Sequence, residues 1–434
     1  MALPLVTPRR VIILLAVAAL AVLTILVPWS APVEPPVISA ARPVPAVLTY
    51  QPQPIGFPIT DHPMITHVTV ADLDQDGLQD ILVCDATANR IGWIRQAPRG
   101  VFTEQFIGDP ISGPAHVSVG DFTGSGRGDL LVASMGQILP NNDQIGKIVI
   151  MENLGGGQFK NHVVAENVAR VTDVRGADLA GHGRMDLVIG QFGYSEGGLS
   201  WLENLGGWKF QSHSLLKIPG TIMTPVEDFD QDGRLDFAAL VSQDSSQVYG
   251  QVHYFRNLGR GEFQDRILWQ TTNLEYGSSG LIAGDINGDG RADLVISNGD
   301  GFNSAFGAPA PWHGLQWLEN QGAGSFAYHR LGDSPGCYSP ICADLRGDGD
   351  RHHDLVTLSA FNNNLQTSAI AMTAWLNDGH EHFTPVPLAH APMWMVTLAA
   401  GDLDGTGVPV LVTGGFHVYP PFTEMSRVML WRKQ

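Results

Sequence analysis

Cysteine is scarce in this sequence, with three in 434 residues. Three thiols exclude a disulfide-built scaffold and any zinc site made of four cysteines. Basic charge is thin as well: 25 Lys and Arg stand against 43 Asp and Glu, a net charge of −18 with His neutral. A nucleic-acid partner needs Lys and Arg to neutralise its phosphates, so that class is excluded. No phosphate loop, Gly-x-Ser-x-Gly elbow or dinucleotide fingerprint occurs. Charged residues make up only 16% of the chain and apolar ones 44%, a composition that builds a large core rather than a disordered chain. Glycine, at 50, is what the sequence has in excess.

One long apolar run stands near the start. Arg9 and Arg10 precede seventeen uncharged residues, Val11 to Val27, before Pro28 and Trp29. A membrane-spanning helix needs about 17–25 apolar residues and a signal-peptide core about 7–15. The run therefore predicts a retained anchor over residues 11–28, with a cleaved signal as the alternative. The basic pair ahead of it places residues 1–10 in the cytoplasm and the bulk of the chain outside, periplasmic or at the cell surface. Residues 29–46 are Pro-rich and read as a semi-rigid linker.

From about residue 47 onward one pattern returns seven times. Asp72-Leu-Asp74-Gln-Asp76-Gly77-Leu-Gln-Asp80 leads into Ile81-Leu-Val83, and equivalents begin at Asp121, Asp178, Asp228, Asp285, Asp344 and Asp402, 49 to 59 residues apart. A second marker follows each, as in Trp201-Leu-Glu203-Asn204-Leu-Gly206 and Trp317-Leu-Glu319-Asn320-Gln-Gly322. Asn-x-Gly between apolar runs signals a hairpin. Repeats of this length with several short strands predict propeller blades. The last repeat is too short for four strands, so the ring predicted over 47–434 takes its missing outer strand from Val47 to Ile59.

Together the two markers resemble the FG-GAP/VCBS repeats of integrin-α-like seven-bladed β-propellers, across most of the chain. The resemblance implies an all-β fold of four-stranded antiparallel blades. It does not imply one activity, because a fold hosts many functions.

Alternating carboxylates on a Gly turn gather hard oxygen donors, which suits Ca²⁺ with its six to eight oxygen ligands. Three turns are complete: Asp72, Asp74, Asp76, Asp80; Asp228, Asp230, Asp232, Asp236; and Asp285, Asn287, Asp289, Asp293. Two to four structural Ca²⁺ ions are expected. The turn at Asp344 departs, with Arg346 in the third place and an insertion before Asp354. Those at Asp121, Asp178 and Asp402 are degenerate and read as metal-free Asp/Gly turns.

Five residues before each turn Asp is a position at the mouth of the channel, and three successive repeats put His67, His116 and Asp173 there. They read as polar channel lining, with a transition-metal or acid–base site as the alternative. His162, His213 and His329 recur at one outer-strand slot and read as structural; His352 and His353 read as a solvated turn. Cys337 and Cys342 are candidates to pair. The long loops on the face opposite the acidic turns are apolar, with Phe302, Phe306, Trp312, Phe416, Tyr419 and Phe422 as candidate partner-binding residues. The function expected is a non-enzymatic, membrane-tethered interaction scaffold, an accessory subunit docking on an integral membrane complex. The alternatives are a glycan-binding or adhesion module, and a polysaccharide lyase or hydrolase centred on His67, His116 and Asp173.

Overall fold

The second strand of each repeat carries the apolar run, and its burial dictates the architecture. Asp80–Asp85, Asp236–Val241, Asp293–Asn298 and Asp354–Ser359 are buried at every position. A strand that is apolar on both faces must be covered on both. In the computed structural model, which describes residues 48–139, 141–242, 249–301, 309–347, 353–391 and 393–434, the cover is the neighbouring sheet on either side. Seven antiparallel sheets stand around a ring, each ordered from inner to outer strand, a to d. Blades 1 to 7 are residues 65–107, 114–168, 171–216, 221–270, 278–333, 337–390 and 395–433.

Blade 7 is completed by Tyr50–Ile55, whose six residues pair antiparallel with Val428–Lys433, Tyr50 opposite Lys433 and Ile55 opposite Val428. This is the closure expected from the truncated last repeat. The anchor of 11–28 and the linker of 29–46 lie outside the described residues. Within the described residues every regular element is a strand, and no helix is long and apolar enough to cross a membrane.

The core is divided among the interfaces. Seven buried clusters each join two adjacent blades among the described residues. Leu82, Cys84 and Trp93 of blade 1, for example, pack on Leu130, Val132 and Met151 of blade 2. Blade 4 is irregular: its inner strand splits into Thr221–Met223 and Val226–Glu227 around Pro225, which has no N–H to give to the ladder.

Strand order fixes two faces. The acidic turns join strands a and b, and the Asn-x-Gly turns join c and d, so both lie on one face. The b–c loops lie on the other.

Candidate functional site

The two markers interlock on the acidic face. In blade 1, Asp72 accepts the amides of Asp76 (3.1 Å) and Gly77 (2.9 Å), closing the turn at a glycine with φ 85°. In blades 1 to 6 the last Asp of the turn is buried and faces strand c, whereas blade 7 has Val410 there. Asp293 accepts Asn320 N at 2.7 Å, and Asp236 accepts Asn257 N at 2.7 Å. The Asn side chain then serves both turns. Asn320 Oδ1 accepts Gly322 N at 3.0 Å, and its Nδ2 donates to Ala292 O within the blade and to Phe229 O of the preceding one. Asn257 and Asn377 repeat that reach across the blade interface, to Leu179 O and Ile286 O.

The carboxylates of the complete turns crowd together. One oxygen from each of Asp72, Asp74 and Asp80 lies within 4.8 Å of the others, and the same holds for Asp228, Asp230 and Asp236. Burial, with help from the neighbouring carboxylates, pushes Asp80 and Asp236 up to about 6 and Asp293 up to about 7. Blade 5 places Asn287 beside Asp289, 3.3 Å apart, in place of a fourth carboxylate. Asp348 and Asp350 of blade 6 lie outside the described residues.

Strand c carries a signal that the turn pattern alone does not reveal. Where the third turn residue is Asp, in blades 1, 4 and 7, the residue before the strand's turn-facing end is Arg. Arg95 meets Asp74 at 2.5 Å, Arg256 meets Asp230 at 2.5 Å and Arg432 meets Asp404 at 2.9 Å. Where it is Thr123, Ala180 or Asn287, that residue is Glu152, Glu203 or Glu319, each taken by the recurrent histidine: His162 at 2.8 Å, His213 at 3.2 Å and His329 at 2.8 Å. Those histidines also stack on Trp208, Trp201 and Trp317, as a structural slot would.

The channel residues do come together. The rings of His67 and His116 lie 4.2 Å apart, and His116 Nδ1 is 3.4 Å from Asp173 Oδ1. A one-residue slip between strands a and b precedes this position in blades 1, 2 and 3. The side chains fasten the next blade. His67 Nδ1 accepts Val117 N at 3.3 Å, Asp173 Oδ2 accepts Thr224 N at 2.7 Å, and Thr397 Oγ1 of blade 7 accepts Val68 N at 3.0 Å. Asp173 also pairs with Arg175 Nε at 3.1 Å. Burial holds both histidines well below their usual range, and Arg175 adds to it.

The b–c loops correct part of the sequence reading. Phe416 is buried at 4% exposure, because the chain continues past strand b to bridge Met64. Trp312 is half-buried, and its Nε1 donates to Glu275 O at 2.8 Å. Tyr419 packs on Trp394. Phe422 remains exposed and stacks on His62 at 4.1 Å. Phe302 and Phe306 lie outside the described residues. Other apolar side chains of these loops stand exposed here: Leu139 (59% exposed), Ile145, Tyr249 and Leu365 (80%). Cys337 and Cys342 are free thiols, set five residues apart on one strand, about 16 Å of extended chain. His353 is half-buried, its Nδ1 3.0 Å from Asp285 O of blade 5, and His352 lies outside the described residues.

The FG-GAP-like repeat family model matches residues 72–132 and 228–296, which hold the acidic turns of blades 1, 2, 4 and 5. No curated protein matches the sequence. Among solved structures, the Dos1 propeller is similar with 10% identity and a TM-score of 0.48, over 85% of this chain and 78% of that one. BBS1N, crystallised in complex with ARL6DN and soaked with lead, is similar with 12% identity and a TM-score of 0.49, over 88% and 96%. Neither likeness bears on function.

Proposed function

FG-GAP-like repeats in a seven-bladed β-propeller are the premise, and from it we propose a non-enzymatic interaction scaffold. The observation that carries this reading is the crown of exposed apolar side chains on the b–c loops: Leu139, Ile145, Tyr249, Leu365 and Phe422. Apolar groups raised on loops over a rigid ring gain by being covered. The channel cluster has a structural use consistent with this reading, since His67 Nδ1 and Asp173 Oδ2 each accept a backbone N–H of the next blade. The role is that of an accessory subunit. The N-terminal segment tethers the ring outside the cytoplasm, and the loop crown docks on an integral membrane complex. Ca²⁺ in the turns of blades 1, 4 and 5 stiffens the opposite face. Asp72, Asp74, Asp80 and their counterparts converge closely enough to share one cation, and burial, with a smaller part from the neighbouring carboxylates, raises Asp80 and Asp236, a cost such a cation would offset.

The test is extraction of native membranes in mild detergent, followed by size separation and mass spectrometry. The scaffold reading expects this chain in fixed ratio with an integral membrane complex, released by Leu365→Ser with Phe422→Ser and retained in His67→Ala. A chain that migrates alone overturns it. Turnover of a polysaccharide lost in His67→Ala, or glycan binding without a membrane partner, would replace it with one of the other readings.

A further inference from the structure

Blade 3 offers a donor set unlike that of the other turns. Its turn runs Asp178-Leu-Ala180-Gly-His182-Gly-Arg-Met-Asp186. Ala180 removes the third-position carboxylate, and His182 stands where blades 1 and 4 have Asp76 and Asp232. The turn closes mainly through its carboxylates: Asp178 accepts His182 N at 3.0 Å and Gly183 N at 2.8 Å, and Asp186 accepts Ala180 N at 3.0 Å and Asn204 N at 2.7 Å. The imidazole contributes a single long contact, Nδ1 to Arg184 N at 3.3 Å.

His182 instead turns its ring inward between the two carboxylates. Its Nδ1 lies 3.4 Å from Asp178 Oδ1 and its Nε2 lies 3.3 Å from Asp186 Oδ1. One donor atom from each of the three residues lies within 4.8 Å of the others. Asp186 is fully buried. Nε2 is sealed from solvent with no hydrogen-bond partner, although it is aimed at the cluster. A buried polar atom left unmade is costly, and a native fold retains few of them. No guanidinium covers this turn as Arg95 and Arg256 cover theirs. Strand c supplies Glu203 here, and among the described residues neither carboxylate of the turn is paired with Lys or Arg.

Two carboxylates and one imidazole nitrogen form a poor Ca²⁺ cage, since Ca²⁺ takes six to eight oxygens. They match the borderline divalent metals Mn²⁺, Co²⁺, Ni²⁺ and Zn²⁺. We infer that the blade 3 turn is a transition-metal site, with His182 Nε2, Asp178 and Asp186 as its protein ligands and water on the open side. This assignment stands apart from the scaffold role and from the Ca²⁺ turns. Its rival is a metal-free turn in which the imidazole only packs between the two carboxylates.

The test uses the full-length chain without an affinity tag, in millimolar Ca²⁺ so that all-oxygen turns are filled. Co²⁺ is titrated and its visible absorption bands recorded. One equivalent is expected to bind with bands characteristic of mixed nitrogen and oxygen ligation, and Zn²⁺ should displace it. His182→Ala should weaken Co²⁺ binding at least about tenfold and abolish the bands. His182→Asp, which installs the residue of blades 1 and 4, should keep the fold and exchange the preference for Co²⁺ over Ca²⁺ for the reverse. Wild-type chain that takes up no Co²⁺ overturns the assignment in favour of the metal-free turn. Co²⁺ bands unchanged in His182→Ala overturn it too, because the metal would then sit elsewhere.

Discussion

Arg427 and Asp85 stand 342 positions apart in the sequence and 2.8 Å apart in space, Nη2 to Oδ2. Glu104 completes the group, meeting Arg427 Nη1 at 2.6 Å and Nη2 at 2.8 Å while accepting Phe57 N at 2.6 Å. All three side chains are buried. This pinned joint lies where blade 7 meets blade 1, the one interface closed by the two ends of the propeller.

Removing the cation alone would strand two buried carboxylates. Arg427→Met should therefore cost about 3–5 kcal/mol, the range for breaking a buried pair. Thermal unfolding would read the loss, and limited proteolysis should cut first near Tyr50–Ile55. The triple variant with Asp85→Asn and Glu104→Gln should recover much of it. Equal melting points for Arg427→Met and wild type would show that the joint adds nothing.

Asn320 joins two turns and two blades through buried hydrogen bonds. Asn320→Ala leaves Phe229 O and Ala292 O without that donor, at about 1–3 kcal/mol for each group left unmade. The expected total is about 2–6 kcal/mol by denaturant unfolding. Asn153→Ala should cost less, since Asn153 donates within its own blade, to Gly128 O, and its hydrogen bonds do not cross to a neighbour. The order of the two variants is the check.

Histidines held neutral make the fold sensitive to acid. Burial lowers His313 to about 4, and its Nδ1 accepts the amides of Ala310 and Gly336. Its unfolded value is about 6.5, so below that pH the unfolded chain takes up the proton first. Stability is then lost as pH falls from about 6.5 toward about 4. His313→Asn removes this term while losing some packing. The gap in melting temperature between wild type and variant should narrow on going from pH 7.5 to pH 5. A constant gap would assign His313 no share in the pH dependence.

Chelation tests the acidic turns. If Ca²⁺ holds blades 1, 4 and 5, EDTA should lower the melting temperature. A free concentration a hundredfold above Kd contributes about 2.7 kcal/mol per site, a few degrees in a chain of this size. Ca²⁺ should restore it and Mg²⁺ should not, because Mg²⁺ demands a tighter octahedron. Asp230→Asn should reduce the restored fraction. An unchanged melting curve in EDTA would leave Arg95 and Arg256 as the cations of those turns.

The fold was legible because its signals are local and repeated. Each acidic turn and each Asn-x-Gly hairpin is written within about ten residues, and seven copies of the first with five of the second, in register, leave little choice of architecture. The alternation of Arg95, Arg256 and Arg432 with Glu152, Glu203 and Glu319 was equally present in the sequence. It becomes visible only when strand c is read against the third turn residue, a comparison across 21 to 32 positions. Phe416 was misplaced because its burial depends on a bridge to Met64 at the far end of the chain. His182 was passed over because its turn was judged against an all-oxygen pattern. No local pattern could have announced Arg427, whose partners lie more than three hundred residues away.

The closing strand also sets an order of events. Tyr50–Ile55 is synthesised long before Val428–Lys433, and Arg432 finds its partner Gln53 at a separation of 379 positions. Loop length itself costs little free energy, since each doubling adds only about 0.6 kcal/mol. The burden falls on time, because pairing of such remote segments is slow. Throughout that wait two matching edges are open on every nascent chain. A neighbouring copy that offers its own Tyr50–Ile55 first would build an exchanged dimer from the same hydrogen bonds. Crowded synthesis, rather than heat or acid, is then the condition under which this ring is most easily assembled wrongly.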